Sequence, residues 1–106
     1  MGGNDVVELD LSSGAGRKRY DEVLRRPSMS VGVYRLAEGA TDPQSPHDED
    51  ELYYVLSGEA ILEAGGERIS VRAGSAVFVA RRVVHRFVEI GTALEVLVFF
   101  APAESG

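Results

Sequence analysis

Two histidines and one glutamate are the residues of this chain whose types and spacing could bind a metal ion. His47 and Glu51 stand just before an apolar run, and His85 begins a second apolar stretch further along the chain. These are the chain's only histidines and there is no cysteine, so imidazole nitrogens and carboxylate oxygens are the ligands available. Two imidazoles with one carboxylate form the set that non-haem iron prefers. Zinc, nickel and manganese can also use this ligand set. We therefore expect the chain to bind one divalent ion of iron, zinc, nickel or manganese.

The elements that must position these residues read as short strands joined by glycine turns. The Gly65-Gly66 pair is typical of a two-residue hairpin, because glycine adopts positive φ without steric cost. Residues 20–26, stopped by Pro27, indicate a helical turn, and residues 6–11 indicate an edge strand. The pattern predicts an all-β fold, a small barrel or jelly roll of about eight or more short antiparallel strands. The main predicted strands are 29–36, 51–57, 59–64, 67–71, 75–79, 84–90 and 93–100.

In the predicted strands 51–57 and 84–90, side chains alternate between the two faces. Glu51 and His85 therefore each share a face with aromatic or apolar neighbours. If that face points inward, Tyr53, Phe87 and Val55 become pocket residues beside the metal ligands. The opposite face of the first strand is also apolar, which predicts that a second sheet or a partner subunit covers it. The predicted inward sets are Glu51, Tyr53 and Val55 on one strand and His85, Phe87 and Glu89 on the other.

Composition and charge bound the class of protein. A chain of 106 residues is long enough for one domain and too short for two, so we expect an N-terminal arm over residues 1–28 and a barrel over residues 29–106. The net charge of −6 argues against nucleic acid as a partner. No apolar run is long enough to span a bilayer, and the N-terminus has no signal-like segment. With cysteine absent as well, we expect a cytoplasmic protein that does not bind membranes.

Six residues at characteristic spacings give the chain a resemblance to the cupin superfamily. Cupin barrels bind a metal through two short motifs, and the resemblance covers roughly residues 30–100. It implies a β-barrel, metal ligation by His47, Glu51 and His85, a small-molecule ligand, and a homodimer. The residues that match the two motifs are Gly39, His47, Glu51, Gly58, Gly74 and His85.

The chain departs from the cupin pattern at three places. The first histidine of the first motif falls on Ser45, and Gln44 beside it could supply an oxygen ligand instead. The Pro-x-Gly of the second motif falls on Ala80-Arg81-Arg82, and its final asparagine falls on Glu89. These departures bear on metal binding more than on the fold.

Three functional hypotheses follow from the resemblance. The first is a metal-dependent enzyme that acts on a small organic molecule, with oxygenase chemistry ahead of isomerase or lyase chemistry. The second is a non-catalytic cupin that binds or senses a small ligand. The third is a metal-independent sugar-nucleotide isomerase in which His85 supplies the base.

Overall fold

The computed structural model describes residues 5–11, 19–43 and 46–105, which contain one antiparallel sheet of six strands. The strands are β1 (Tyr20–Arg26), β2 (Met29–Leu36), β3 (Asp50–Ala64), β4 (Glu67–Arg72), β5 (Ala76–Val79) and β6 (His85–Ala101). Their order in the sheet is β1-β2-β6-β3-β4, and β5 also pairs with β3. These residues contain no helix, so the all-β prediction is confirmed, with six strands in place of about eight. None of them forms a helix with the length and apolar character that crossing a bilayer requires.

The two longest strands, β3 and β6, each belong to both halves of the folded sheet. The first part of β3 pairs with β5 and with the end of β6, and its last part pairs with β4 and the start of β6. The turns predicted at Gly58 and Gly91 are therefore bends inside continuous strands. Gly58 has a φ of 92°, and a Cβ there would lie 2.2 Å from the Ala93 carbonyl oxygen. Only glycine allows the two backbones to pass so closely at this bend.

One hydrophobic core joins the two halves of the sheet. Tyr53 from the first half packs edge-on against Phe87 from the second, with ring centroids 4.9 Å apart. In the sheet register Glu51 pairs with Phe100 and His85 pairs with Ala64, at opposite ends of β3. Folding the halves together brings the starts of β3 and β6 into contact, and this closure builds the site.

The predicted inward faces are mostly confirmed. Glu51, Tyr53 and Val55 are buried, as are His85 and Phe87. The exception is Glu89, whose side chain is 64% exposed and forms an ion pair with Arg68. Glu89 has a φ of 49°, which breaks the alternation, and Ile90 takes the next buried position.

Two local predictions for the N-terminal part are wrong. Residues 20–26 form strand β1 rather than a helical turn, because they pair with β2 along its length, from Tyr20 opposite Tyr34 to Arg26 opposite Met29. Residues 6–11 form no strand. The strand contributed by the predicted arm is thus β1, and it extends the same sheet that carries the site.

Candidate metal centre

The structure brings His47, Glu51 and His85 together, with one potential ligand atom from each lying within 4.8 Å of the others. His47 is in the loop before β3, Glu51 is the second residue of β3, and His85 is the first residue of β6. The His85 Nε2 and Glu51 Oε1 atoms are 3.0 Å apart. Gln44, the fourth candidate ligand, lies outside the described residues, as does Ser45.

Glu51 is a buried carboxylate with unused acceptor capacity. Its exposed fraction is 2%, and neither side-chain oxygen accepts a hydrogen bond within the described residues. The His85 imidazole is its partner at ion-pair distance. Burying an ionised carboxylate without hydrogen bonds is costly, and a coordinated cation would remove that cost. Two nitrogens and one carboxylate oxygen also match the ligand preferences of iron, zinc, nickel and manganese. The residues present therefore fit a divalent metal ion.

His85 is held in the orientation that a metal ligand needs. Its Nδ1 lies 2.8 Å from the Val83 carbonyl oxygen, which can only accept, so Nδ1 carries the proton. Nε2 then keeps its lone pair, and the Tyr53 hydroxyl, 3.1 Å away, can donate to it. Burial lowers the pKa of His85, but the contacts with Glu51 and Val83 outweigh burial and raise that pKa above the ordinary 6.5. The Nδ1 contact with a backbone oxygen is the usual support of a ligating histidine.

His47 is held by aromatic packing and by the end of the chain. Its ring stacks edge-on against Phe100 with centroids 4.9 Å apart, and its ring centroid is 5.8 Å from that of His85. The His47 carbonyl accepts a hydrogen bond from the Arg82 backbone N–H at 2.7 Å, which ties the loop to the β5–β6 connection. The Nδ1 atom lies 3.4 Å from the Glu104 carboxylate.

A cavity of about 220 Å³ adjoins these groups. Of the three predicted pocket residues, Tyr53 lines this cavity, whereas Phe87 and Val55 lie in the core and are not among its lining residues. A wider and more open depression of about 590 Å³ at the β3–β4 turn shares only His85 with the centre, so the smaller cavity is the better ligand site. The smaller cavity is lined by Tyr20, Tyr34, His47, Glu51, Tyr53, Val98, Phe100 and Glu104.

Tyr20 and Tyr34 line the cavity and were missed from the sequence. The Tyr34 hydroxyl donates to buried Asp42, whose other oxygen accepts from the Phe87 backbone N–H at 2.8 Å. The Tyr20 hydroxyl is buried and has no hydrogen-bond partner within the described residues. Burial raises the pKa of both hydroxyls well above the ordinary 10, so both stay protonated at neutral pH. The strand pattern around Tyr20 and Tyr34 could have predicted that these side chains are buried, but not that they line a cavity.

The acidic run after His47, residues 48–50, contains one buried carboxylate. Glu49 is buried, with 4% exposed, and accepts a hydrogen bond from the Ser105 backbone N–H at 3.2 Å. Asp48 is exposed and forms an ion pair with Arg82. The Glu104 carboxyl has its pKa raised above 4.5, chiefly by burial, despite the opposing effect of His47. Glu49, Glu51 and Glu104 thus concentrate negative charge at the centre.

Comparison with known proteins agrees with this architecture. The family profile described as a cupin domain matches residues 32–101. An uncharacterised protein of Streptomyces coelicolor is 45% identical over 98 residues, which is 92% of this chain and 93% of that protein.

Solved structures with low sequence identity share the fold. An RmlC-like cupin with a double-stranded β-helix fold from Methanocaldococcus jannaschii has a TM-score of 0.79 at 19% identity, with 94% of each chain covered. KdgF from Halomonas has a TM-score of 0.72 at 23% identity, covering 78% of this chain and 76% of that one. A predicted oxalate decarboxylase from Thermotoga maritima has a TM-score of 0.68 at 21% identity, with 78% of each chain covered.

Proposed function

Since this chain belongs to the cupin domain family, we propose that it binds one divalent metal ion and acts on a small organic molecule in the adjoining cavity. His47, Glu51 and His85 are the proposed ligands. The observation that carries the proposal is the buried Glu51 carboxylate, which accepts no hydrogen bond among the described residues and faces the His85 Nε2 at 3.0 Å. A coordinated cation would offset the cost of burying this carboxylate.

The chain's own residues define what the site does. His47 and His85 must be neutral to bind metal, and Glu51 supplies the compensating charge. Three protein ligands leave coordination positions open, which distinguishes a catalytic centre from a closed structural one. When bound, the ion supplies Lewis-acid chemistry or, if it is iron, oxygen chemistry. We place oxygenase chemistry ahead of isomerase or lyase chemistry because of the two-histidine, one-carboxylate set.

The cavity favours a ligand with both apolar and polar groups. Its volume of about 220 Å³ is below the range of about 300–1,000 Å³ that drug-sized ligands occupy. Val98 and Phe100 provide apolar walls, and the Glu104 carboxylate is an acceptor. The Tyr20 hydroxyl is a donor that has no partner among the described residues. We expect a small molecule with an oxygen acceptor and a hydroxyl or amine donor.

Two alternatives remain as proposals. A non-catalytic cupin that binds or senses a small ligand is favoured by Ser45 in place of the motif's first histidine and by the altered turn at Ala80-Arg81-Arg82. The metal-independent sugar-nucleotide isomerase is supported by the contact between His85 and Glu51, which could make His85 a base. The cavity is too small to enclose a sugar nucleotide, and that argues against the isomerase.

We also propose that a second copy of the chain covers the outer face of β3. Leu52, Tyr54 and Phe78 are 40%, 42% and 61% exposed on the side of the sheet opposite the cavity. In the register Leu52 lies between Phe78 and Phe99, so this apolar patch continues across β5, β3 and β6. Such a patch favours an interface, and a homodimer fits both it and the family resemblance.

Titration of metal into chelator-treated protein tests the main proposal. We expect iron(II), zinc, nickel or manganese to bind the wild type at one ion per chain in calorimetry. Glu51→Gln keeps the side-chain shape but removes the charge, so it should abolish or strongly weaken binding. Glu59→Gln, at an exposed position of the same strand, is the matched control and should bind as the wild type does. Equal binding by the two variants would refute the assignment of Glu51.

Turnover separates the enzyme from the binding module. A ligand found by thermal-shift screening of the metal-loaded protein should be converted to product if the chain is an enzyme. A ligand that binds tightly, depends on His85 and is recovered unchanged would establish the non-catalytic alternative. Conversion by metal-free protein, abolished in His85→Ala, would favour the isomerase.

A further inference from the structure

We infer that Glu104, in the C-terminal segment 102–105, is a positioning residue that orients His47 for metal binding. The inference rests on the proposed metal function. Its first observation is the contact between the Glu104 carboxylate and the His47 Nδ1 at 3.4 Å, with both side chains about four-fifths buried, at 21% and 19% exposed. A carboxylate at this nitrogen favours the tautomer that is protonated at Nδ1. Nε2 then keeps its lone pair for the metal.

Each histidine of the centre has an oxygen atom near its Nδ1. The His85 Nδ1 donates to the Val83 carbonyl oxygen at 2.8 Å, which leaves Nε2 facing Glu51. Glu104 places a carboxylate oxygen near the His47 Nδ1, at the longer distance of 3.4 Å. A backbone carbonyl supports one ligand and a carboxylate from the chain's end supports the other, and the carboxylate also adds negative charge beside the cation.

The C-terminal segment is held in place by its backbone. The Glu104 N–H donates to the Ser30 Oγ at 2.9 Å, and the Glu104 carbonyl accepts from the Arg25 guanidinium at 2.7 Å. The next residue, Ser105, donates its N–H to the buried Glu49 carboxylate at 3.2 Å. These contacts join β1, β2 and the acidic loop to the segment, so the Glu104 side chain is aimed at the cavity rather than at solvent.

Glu104 lies outside the part of the chain that matches the family. The cupin profile ends at residue 101, and the C-terminal segment begins directly after it. The missing first histidine at position 45 leaves three ligands from the family motifs. A carboxylate that fixes one of those three would help a reduced ligand set keep its geometry.

Cobalt(II) titration provides the first test, with the affinity measured calorimetrically. Glu104→Ala should weaken Co²⁺ binding by about 10–100-fold, as loss of such supporting contacts typically does. Glu104→Gln keeps an acceptor oxygen and should lose less than Glu104→Ala. Glu38→Gln, at an exposed carboxylate after β2, is the matched control and should bind as the wild type does. Amide NMR shifts of Arg25 and Ser30, which contact the Glu104 backbone, should stay unchanged, which verifies that the segment remains docked.

Imidazole ¹⁵N NMR of the metal-free protein at about pH 8 provides a second test that does not depend on metal. The wild type should show His47 protonated at Nδ1, and Glu104→Ala should lose that preference. If the wild type bound no metal, the proposed function would fail, but this spectrum would still test the contact between Glu104 and His47. Wild-type His47 protonated at Nε2, or a Glu104→Ala variant with unchanged Co²⁺ affinity and tautomer, would overturn the inference. A Gln variant as weak as the Ala variant would show that Glu104 acts through its charge rather than through an acceptor oxygen at Nδ1, and this would also overturn the inference.

Discussion

Tyr20→Phe should stabilise the protein, because the hydroxyl that it removes has no hydrogen-bond partner among the described residues. A buried and unsatisfied polar group costs about 1–3 kcal/mol. The aromatic ring stays in place in the variant, against Gly32, where a Cβ would lie only 2.2 Å from the Tyr20 ring. A gain of about 1 kcal/mol corresponds to a rise in Tm of roughly 4–8 °C for a domain of this size.

Tyr34→Phe is the matched control, since it removes a hydroxyl from the same cavity wall that does have a partner. The Tyr34 hydroxyl donates to buried Asp42, so its loss should cost about 1.5–3 kcal/mol. Calorimetric or denaturant unfolding of the metal-free variants measures both effects. We expect Tyr20→Phe to raise the stability and Tyr34→Phe to lower it. A Tm that falls in Tyr20→Phe as far as in Tyr34→Phe would refute the reasoning.

Tyr20→Phe should also remove a contact between the protein and its small-molecule ligand. A donor that is kept in a cavity at a cost in stability is expected to serve a ligand. Tyr20→Phe should weaken the ligand found by screening while leaving metal affinity unchanged. Unchanged ligand affinity would assign the hydroxyl no part in recognition.

Three further predictions concern other parts of the structure. Since the folded pKa of His85 is raised above 6.5, its protonation should stabilise metal-free protein below about pH 6.5, and this stability should be lost as pH rises through the folded pKa. Urea unfolding across pH, with His85→Gln as the variant in which the effect disappears, checks this. Leu52→Glu should convert a dimer to a monomer in light scattering, whereas Val84→Glu, at a 71% exposed position outside the β3 patch, should not. Gly58→Ala should destabilise the fold by more than about 1 kcal/mol, because its Cβ would meet the Ala93 carbonyl oxygen at 2.2 Å at positive φ, and a wild-type Tm would contradict this.

Sequence patterns predicted the inward face of β3 well. Strand alternation placed Glu51 and Tyr53 on one shared face, because the side-chain period in a strand is fixed at two. Both faces of this strand are apolar, so the inward direction was an assumption, and the burial of both residues agrees with it. The same rule failed at Glu89, where a positive φ interrupts the alternation of side chains along β6. Glycine signals were ambiguous, since Gly65 begins a true hairpin turn whereas Gly58 forms a bend, and both have positive φ. Only the pairing of distant strands distinguishes the two.

The remaining parts of the site depend on contacts that no local pattern encodes. Residues 20–26 favoured a helical turn locally, but pairing with β2 makes them a strand. Glu104 reaches His47 from the end of the chain, and Glu49 is buried by Ser105 of the same segment. Such contacts depend on how the sheet folds onto itself rather than on the spacing of residues in the sequence.

Elemental analysis of untagged protein purified without chelators tests the central claim most directly. We expect about one iron, zinc, nickel or manganese ion per chain, following the open three-ligand site. The His47→Ala/His85→Ala double variant should contain none while retaining its fold. Metal-free wild-type protein that also fails to bind each of the four ions on reconstitution would contradict the account, and the cavity would then belong to a binding module.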